Sequence, residues 1–245
     1  MTKMGKSKLI FLDAETTGKG VRDRLCQVAY KFGDEETESL FRPPIPIQIE
    51  AMAISHITNK MVEDEESFIG SEMHVRLSDI FSKDAILVAH NAQFDAEMLR
   101  KENIEVKNII DTLKIAHYLD KEAKIPQYNL QYLRYFLDLD VENVVAHSAM
   151  GDVKVLEKLF KRLFQKMFTE FKEEQAIIDE MMKISKLPIL MKKFPFGKYN
   201  GLKVADVAKT DLGYFRWFLN EKIKEREQEI KNDENWIYTC EYYLK

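Results

Sequence analysis

Asp13 and Glu15 stand two residues apart in KLIFLDAETTG, residues 8–18. The apolar run reads as a strand from Lys8 to Glu15. Leu9, Phe11, Asp13 and Glu15 then share one face, and Ile10, Leu12 and Ala14 share the other. Carboxylates at the end of a buried strand are costly unless they are paired or bind a metal. Read alone, they also fit solvated residues where a strand leaves its sheet, before a Thr16-Thr17-Gly18 turn.

A second element, ILVAHNAQFD (86–95), reads as a buried strand ending at His90. The helix after it has Asn91 as its expected N-cap and Asp95 in its first turn. Capping accounts for Asn91 and Asp95 but not for His90. The third element is HSAMGD (147–152). Here Ser148 is the expected cap of a long helix, Asp152 lies in its first turn, and His147 sits on the preceding loop. A lone histidine there also fits a structural or solvated role.

Four carboxylates meeting in one pocket would raise one another's pKa, and divalent cations would offset the repulsion. An all-oxygen donor set suits hard ions, Mg²⁺ or Mn²⁺. Two such ions about 4 Å apart suit in-line displacement at a phosphodiester. On this scheme Asp13, Glu15, Asp95 and Asp152 hold two ions per site. His147, titrating near neutrality, takes the proton from the attacking water.

That chemistry requires three distant segments to converge, so the intervening elements matter. Leu25 to Phe32 and Glu38 to Phe41 read as strands joined through Gly33-Asp34, giving a meander with the first strand. Helix then alternates with strand: helix at Met73 to Phe81, strand at Ala85 to His90, helix at Phe94 to Glu102, strand at Ile109 to Asp111. Helices follow at Thr112 to Leu119 and Asn129 to Leu137. The longest spans Asp152 to Phe171, where Val153, Leu156, Leu159, Phe160, Leu163, Met167 and Phe171 form one apolar stripe. The pattern predicts an α/β fold with a mixed sheet flanked by helices.

Residues 1–171 are expected to form the catalytic domain, 172–189 a charged helical linker, and 190–245 a small aromatic-rich α+β module. In the tail, Phe194, Phe196, Tyr199, Tyr214, Phe215, Trp217 and Phe218 read as a small core more than as a stacking platform. Lys192, Lys193, Lys198, Lys203 and Lys209 make a locally basic run that fits either a phosphate-backbone contact or a solvated surface.

The formal charge of −4 does not mark a nucleic-acid binder, but clustered carboxylates make whole-chain charge a poor guide to a local field. Two cysteines, Cys26 and Cys240, without CxxC spacing, exclude a disulfide framework or a zinc-thiolate site and fit a reducing cytosol. The apolar stretch after the basic N-terminus is too short for a signal peptide or membrane span. A cytoplasmic chain without membrane contact is expected.

FLDAETTG, HNAQFD and HSAMGD, in that order, resemble the three signature segments of the DEDDh 3′→5′ exonucleases, which have a ribonuclease-H-like fold. The resemblance implies metal ligands at Asp13, Glu15, Asp95 and Asp152 and a general base at His147. It also implies that the backbone from Ala14 through Thr16 to Thr17, with Glu15, holds a terminal 3′ hydroxyl. His90, Asn91 and Phe94 fall where such enzymes shape the site of the terminal nucleotides. AMAISHIT (51–58) resembles a recurrent family element and places His56 beside the substrate, although a solvent-facing histidine at a helix start fits as well. The segment 190–220 is similar to the C-terminal part of bacterial exodeoxyribonuclease X. It implies DNA with a free 3′ end as the partner and leaves a homodimer open. RNA 3′-end trimming by the same fold, and a polymerase-associated proofreading role, are the alternatives.

Overall fold

A computed structural model describes residues 8–139, 141, 149–230 and 232–245. The chain divides into two compact units, Met1–Ile115 with Gln127–Ser185 and Ala116–Pro126 with Lys186–Lys245. The division departs from the expected linker at 172–189: helix 174–186 buries Ile177, Ile178, Met181 and Ile184. Ser185 Oγ, at its end, accepts the backbone N–H of Asp111 at 2.8 Å. An apolar face and a buried hydrogen bond tie this segment to the first unit.

The first unit begins with β1 (Leu9–Thr16), β2 (Leu25–Phe32) and β3 (Glu35–Leu40). Gly33, at φ 64°, makes the turn between β2 and β3, which starts three residues earlier than its apolar residues suggested. Next come α1 (Ile49–Ser55), α2 (Asn59–Val62), α3 (Glu72–Ser82), β4 (Ile86–Ala89), α4 (Ala92–Lys101) and β5 (Asn108–Asp111). Then follow α5 (Thr112–Leu119), α6 (Leu130–Phe136), α7 (Ala149–Met167) and α8 (Glu174–Lys186).

The sheet runs β3-β2-β1-β4-β5, antiparallel at β3–β2–β1 and parallel at β1–β4–β5. Alternation along β1 serves both faces. Ile10, Leu12 and Ala14 join Leu77, Ile80 and Phe81 of α3 and Ala96 and Leu99 of α4 in one core. Phe11, on the other face, meets Phe160 of α7 edge-on at 5.4 Å between ring centroids. That apolar stripe on α7, with Leu156, Leu159, Phe160 and Leu163 buried, lays the helix across β1, β2 and β3. The helix ends at Met167, one turn short of the expected Phe171.

In the second unit, the 3₁₀ turn Gly197–Tyr199 precedes α9 (Val204–Thr210), α10 (Leu212–Glu227) and α11 (Glu234–Leu244). A single antiparallel bridge joins Lys193 to Lys203. Phe194 is 1% exposed and stacks on Trp236 at 5.0 Å, within a cluster that includes Phe215 and Phe218. Tyr199 and Tyr214 pack partly buried against this core, whereas Trp217 is 56% exposed. Much of the basic run is spent within the unit. Lys192 Nζ donates to the carbonyls of His117 and Asp120, Lys193 Nζ to that of Ala123 at 2.8 Å, and Lys198 pairs with Asp211 at 3.3 Å.

Both tryptophans of the chain, Trp217 and Trp236, lie in this unit, so their emission follows its unfolding selectively. Phe194→Leu is expected to destabilise it by about 1–2 kcal/mol, from lost ring contacts and a residual cavity. A urea midpoint by tryptophan fluorescence equal to that of the unaltered protein would contradict this.

Candidate active site

β1 outruns its parallel neighbour. The last pair between β1 and β4 is Phe11 with Val88, and β1 continues to Thr16. Asp13 and Glu15 therefore project past the carboxyl end of β4, where open α/β sheets form their sites. α4 starts there, and Asp95 in its first turn accepts hydrogen bonds from its own backbone N–H and from that of Ala14. A register shift between Glu15 and Thr16 re-aims the strand at this point. From the other direction, α7 brings Asp152. It occupies a position of the apolar stripe, 9% exposed, and Gln131 Nε2 of α6 donates to its Oδ1.

These carboxylates lie near enough to repel one another. Burial pushes Asp13 well above the usual carboxylate range, and Asp95, Asp152, Glu15 and Glu38 add to the rise. Burial likewise raises Asp95, reinforced by Asp111 and Glu15 against its two backbone hydrogen bonds. Glu15 is pushed up to about 7 by burial and by Asp152, with Lys19 opposing. Mutual repulsion among oxygen donors is the charge pattern that a divalent cation relieves. The donor chemistry thus fits hard ions, although among the described residues no three acidic, histidine or cysteine side chains already enclose a single point.

A cleft of about 340 Å³ opens beside Glu15, lined by Ala14, Thr16, Gly18 and Lys19 on one side and by Gln48, Glu50, Ala51 and Ile54 of α1 and its cap on the other, with Phe94. Of the residues expected at the substrate, Ala14, Glu15, Thr16 and Phe94 line it. Thr17 is fully buried, its hydroxyl donating to Asp23 at 2.7 Å. His56 does not start a helix. It closes the end of α1 in the left-handed region (φ 59°) and is exposed. His147 and Ser148 lie outside the described residues.

Asn91 does not cap α4 with its side chain. At φ 71° and ψ 47° it lacks the extended backbone that aims a cap at the helix N–H groups. Its own N–H instead donates to Asp111 Oδ1 at 3.1 Å, which anchors the β4–α4 turn carrying Asp95. His90 uses both ring nitrogens internally, Nδ1 with Thr112 Oγ1 at 2.9 Å and Nε2 with the Tyr128 carbonyl at 2.6 Å. The carbonyl can only accept, so Nε2 carries the proton. Burial lowers the His90 pKa to about 4 despite the Tyr128 bond. An NMR titration is therefore expected to find this imidazole neutral from about pH 8 to 5; a midpoint near the ordinary value of about 6.5 would refute the buried geometry.

Sequence reasoning missed Glu38, Gln131, Asp111, Asp23 and Gln48. Glu38 lies in register with Asp13 through Ala29, and its Oε1 accepts the Met150 N–H at 3.1 Å, at the start of α7. No local pattern signals it, because the partners are far apart in the chain.

Residues 10–160 match the exonuclease family, and residues 194–222 match the exodeoxyribonuclease X-like C-terminal family. Exodeoxyribonuclease 10 of Escherichia coli (strain K12) is 34% identical over 181 residues, covering 74% of this chain and 75% of that protein. DNA polymerase III subunit epsilon of Treponema pallidum is 32% identical over 162 residues, 60% of this chain and 72% of that one. Among solved structures, exonuclease X in complex with 5′ overhanging duplex DNA superposes with a TM-score of 0.53 and 26% identity, over 71% of this chain and 99% of that chain. E. coli exonuclease I with a dT13 oligonucleotide has the same fold, at a TM-score of 0.57 and 20% identity over 67% of this chain and 42% of that chain. The matched span contains Asp13, Glu15, Asp95 and Asp152, and by that match the chain belongs to the exonuclease family.

Proposed function

We propose that this chain hydrolyses the terminal phosphodiester at DNA 3′ ends, working 3′→5′ and releasing nucleoside monophosphates. The observation that carries the reading is the repulsion among Asp13, Glu15, Asp95 and Asp152, of which Glu15 lines the cleft beside β1. Asp13, Glu15, Asp95 and Asp152 would hold Mg²⁺ or Mn²⁺, two ions per site. When bound, these ions supply charge neutralisation and activation of water for in-line displacement.

The chain's own groups do the positioning. The backbone from Ala14 to Thr17 with Glu15 holds the 3′ hydroxyl, and Phe94 and the α1 wall of the cleft confine the terminal sugar and base. His90 and Asn91 shape the floor through the β4–α4 turn. His147 takes the proton from the attacking water. DNA as the preferred strand rests on the kinship with exodeoxyribonuclease 10 and exonuclease X.

The test is Mg²⁺-dependent digestion of 5′-labelled single-stranded, blunt and 3′-overhang DNA beside matched RNA. A ladder shortening from the 3′ end with mononucleotide product is expected, and rates on RNA equal to those on DNA would overturn the substrate assignment.

A further inference from the structure

Asp23 has no place in the chemistry above, yet it is 3% exposed and surrounded by donors. Its Oδ1 accepts the Thr17 hydroxyl at 2.7 Å and Gln48 Nε2 at 3.1 Å, and its Oδ2 accepts the Gly20 N–H at 2.6 Å. Two of these donors belong to the loop after β1, which forms one wall of the cleft. The third belongs to Gln48, which precedes α1 and lines the opposite wall. The Gln48 N–H also donates to the Thr17 carbonyl at 2.9 Å.

Gly18 sits where these groups converge. A Cβ there would lie 2.8 Å from Asp23 Oδ2 and from both Cδ and Nε2 of Gln48. The loop is held from behind as well. Lys101 Nζ donates to the carbonyls of Gly20 at 2.9 Å and Asp23 at 3.1 Å, and Arg24 makes a two-pronged pair with Glu102 at 2.6 and 2.5 Å. These contacts hold the Asp23 end of the tie, and its other end is the Gln48 side chain on the wall that leads into α1.

We propose that Asp23 is a positioning residue: through Gln48 it sets the width of the cleft and hence the grip on the terminal nucleotide. The inference rests on the reading of that cleft as the 3′-terminal nucleotide site. A buried carboxylate accepting charge-assisted hydrogen bonds from both walls holds them more rigidly than neutral contacts would. Its action is on substrate fit, since none of its partners is one of the four carboxylates.

Gln48→Glu separates this role from general stability. It places a second carboxylate against Asp23 and drives the two walls apart, while position 48 is exposed and outside the core. Steady-state digestion of single-stranded DNA with Mg²⁺, and direct binding of dTMP by calorimetry, read the effect. Gln48→Glu is expected to raise KM and weaken dTMP binding about tenfold, with the loss falling on KM rather than on kcat. Asp23→Asn combined with Gln48→Glu restores an amide–carboxylate pair across the cleft and is expected to recover dTMP affinity to within about threefold.

Unchanged KM and dTMP affinity in Gln48→Glu would overturn the proposal, as would a loss confined to kcat or a double variant no better than Gln48→Glu alone. Failure of the unaltered protein to bind dTMP or shorten DNA would instead remove the reading of the cleft itself.

Discussion

Asp13→Asn lowers Mg²⁺-dependent nucleotide release by ~10³-fold while leaving the folded structure intact. Asp13 is the carboxylate that feels Asp95, Asp152, Glu15 and Glu38 together, so it lies at the centre of the charge cluster. Asparagine keeps its shape and removes its charge. If Asp13 holds the ion as proposed, losing its charge withdraws several kcal/mol of transition-state stabilisation, which corresponds to that factor in rate. The same change relieves repulsion, so stability in EDTA at about pH 8 stays equal or rises. Turnover within about tenfold of the unaltered protein, at saturating Mg²⁺, would remove Asp13 from the site.

Glu15→Gln stabilises the metal-free protein at about pH 8, by up to about 3 kcal/mol, and the gain disappears below pH 4.5. The folded-state pKa of Glu15 is about 7 against an ordinary 4.5. Between those values the folded chain binds more protons than the unfolded one, so stability falls as pH rises through the window. Below 4.5 both states are protonated and the penalty vanishes. A tenfold change in proton affinity corresponds to about 1.4 kcal/mol, which sets the upper limit, and the partial exposure of Glu15 lowers the value actually reached. Urea unfolding in EDTA at about pH 8 and about pH 4 measures the difference. A variant no more stable than the parent at the higher pH, or a difference that grows on acidification, would contradict the buried, repelled carboxylate. Mg²⁺ is expected to stabilise the parent more than Glu15→Gln, because the ion relieves a repulsion that the glutamine has already removed.

The strands and helices that carry the acids are legible in the sequence because their apolar spacing is strong. β1 alternates faces over Leu9 to Glu15, and α7 repeats at three and four from Val153 to Met167. Boundaries slip where a local interaction outweighs pattern. β3 begins at Glu35 because its backbone pairs with Phe32, although Glu-Glu-Thr-Glu has no apolar period. Asn91 has the residue type of a cap, but the tight β4–α4 turn demands a left-handed residue there. The helix at 174–186 reads as a charged linker, since its four buried isoleucine and methionine residues are interleaved with Glu, Asp and Lys.

Residue type and order alone determined which acids stand at the ends of apolar elements, and therefore that they must be compensated by one another or by cations. That much follows from the cost of burying a charge, which is a property of the local pattern. Which other side chains join them was decided only by tertiary structure. Strand register sets Glu38 in line with Asp13, helix docking puts Gln131 on Asp152, and the loop after β1 folds back so that Asp23 ties Thr17 to Gln48. Such contacts depend on where two distant backbones come to rest, and no periodicity within either segment encodes that distance.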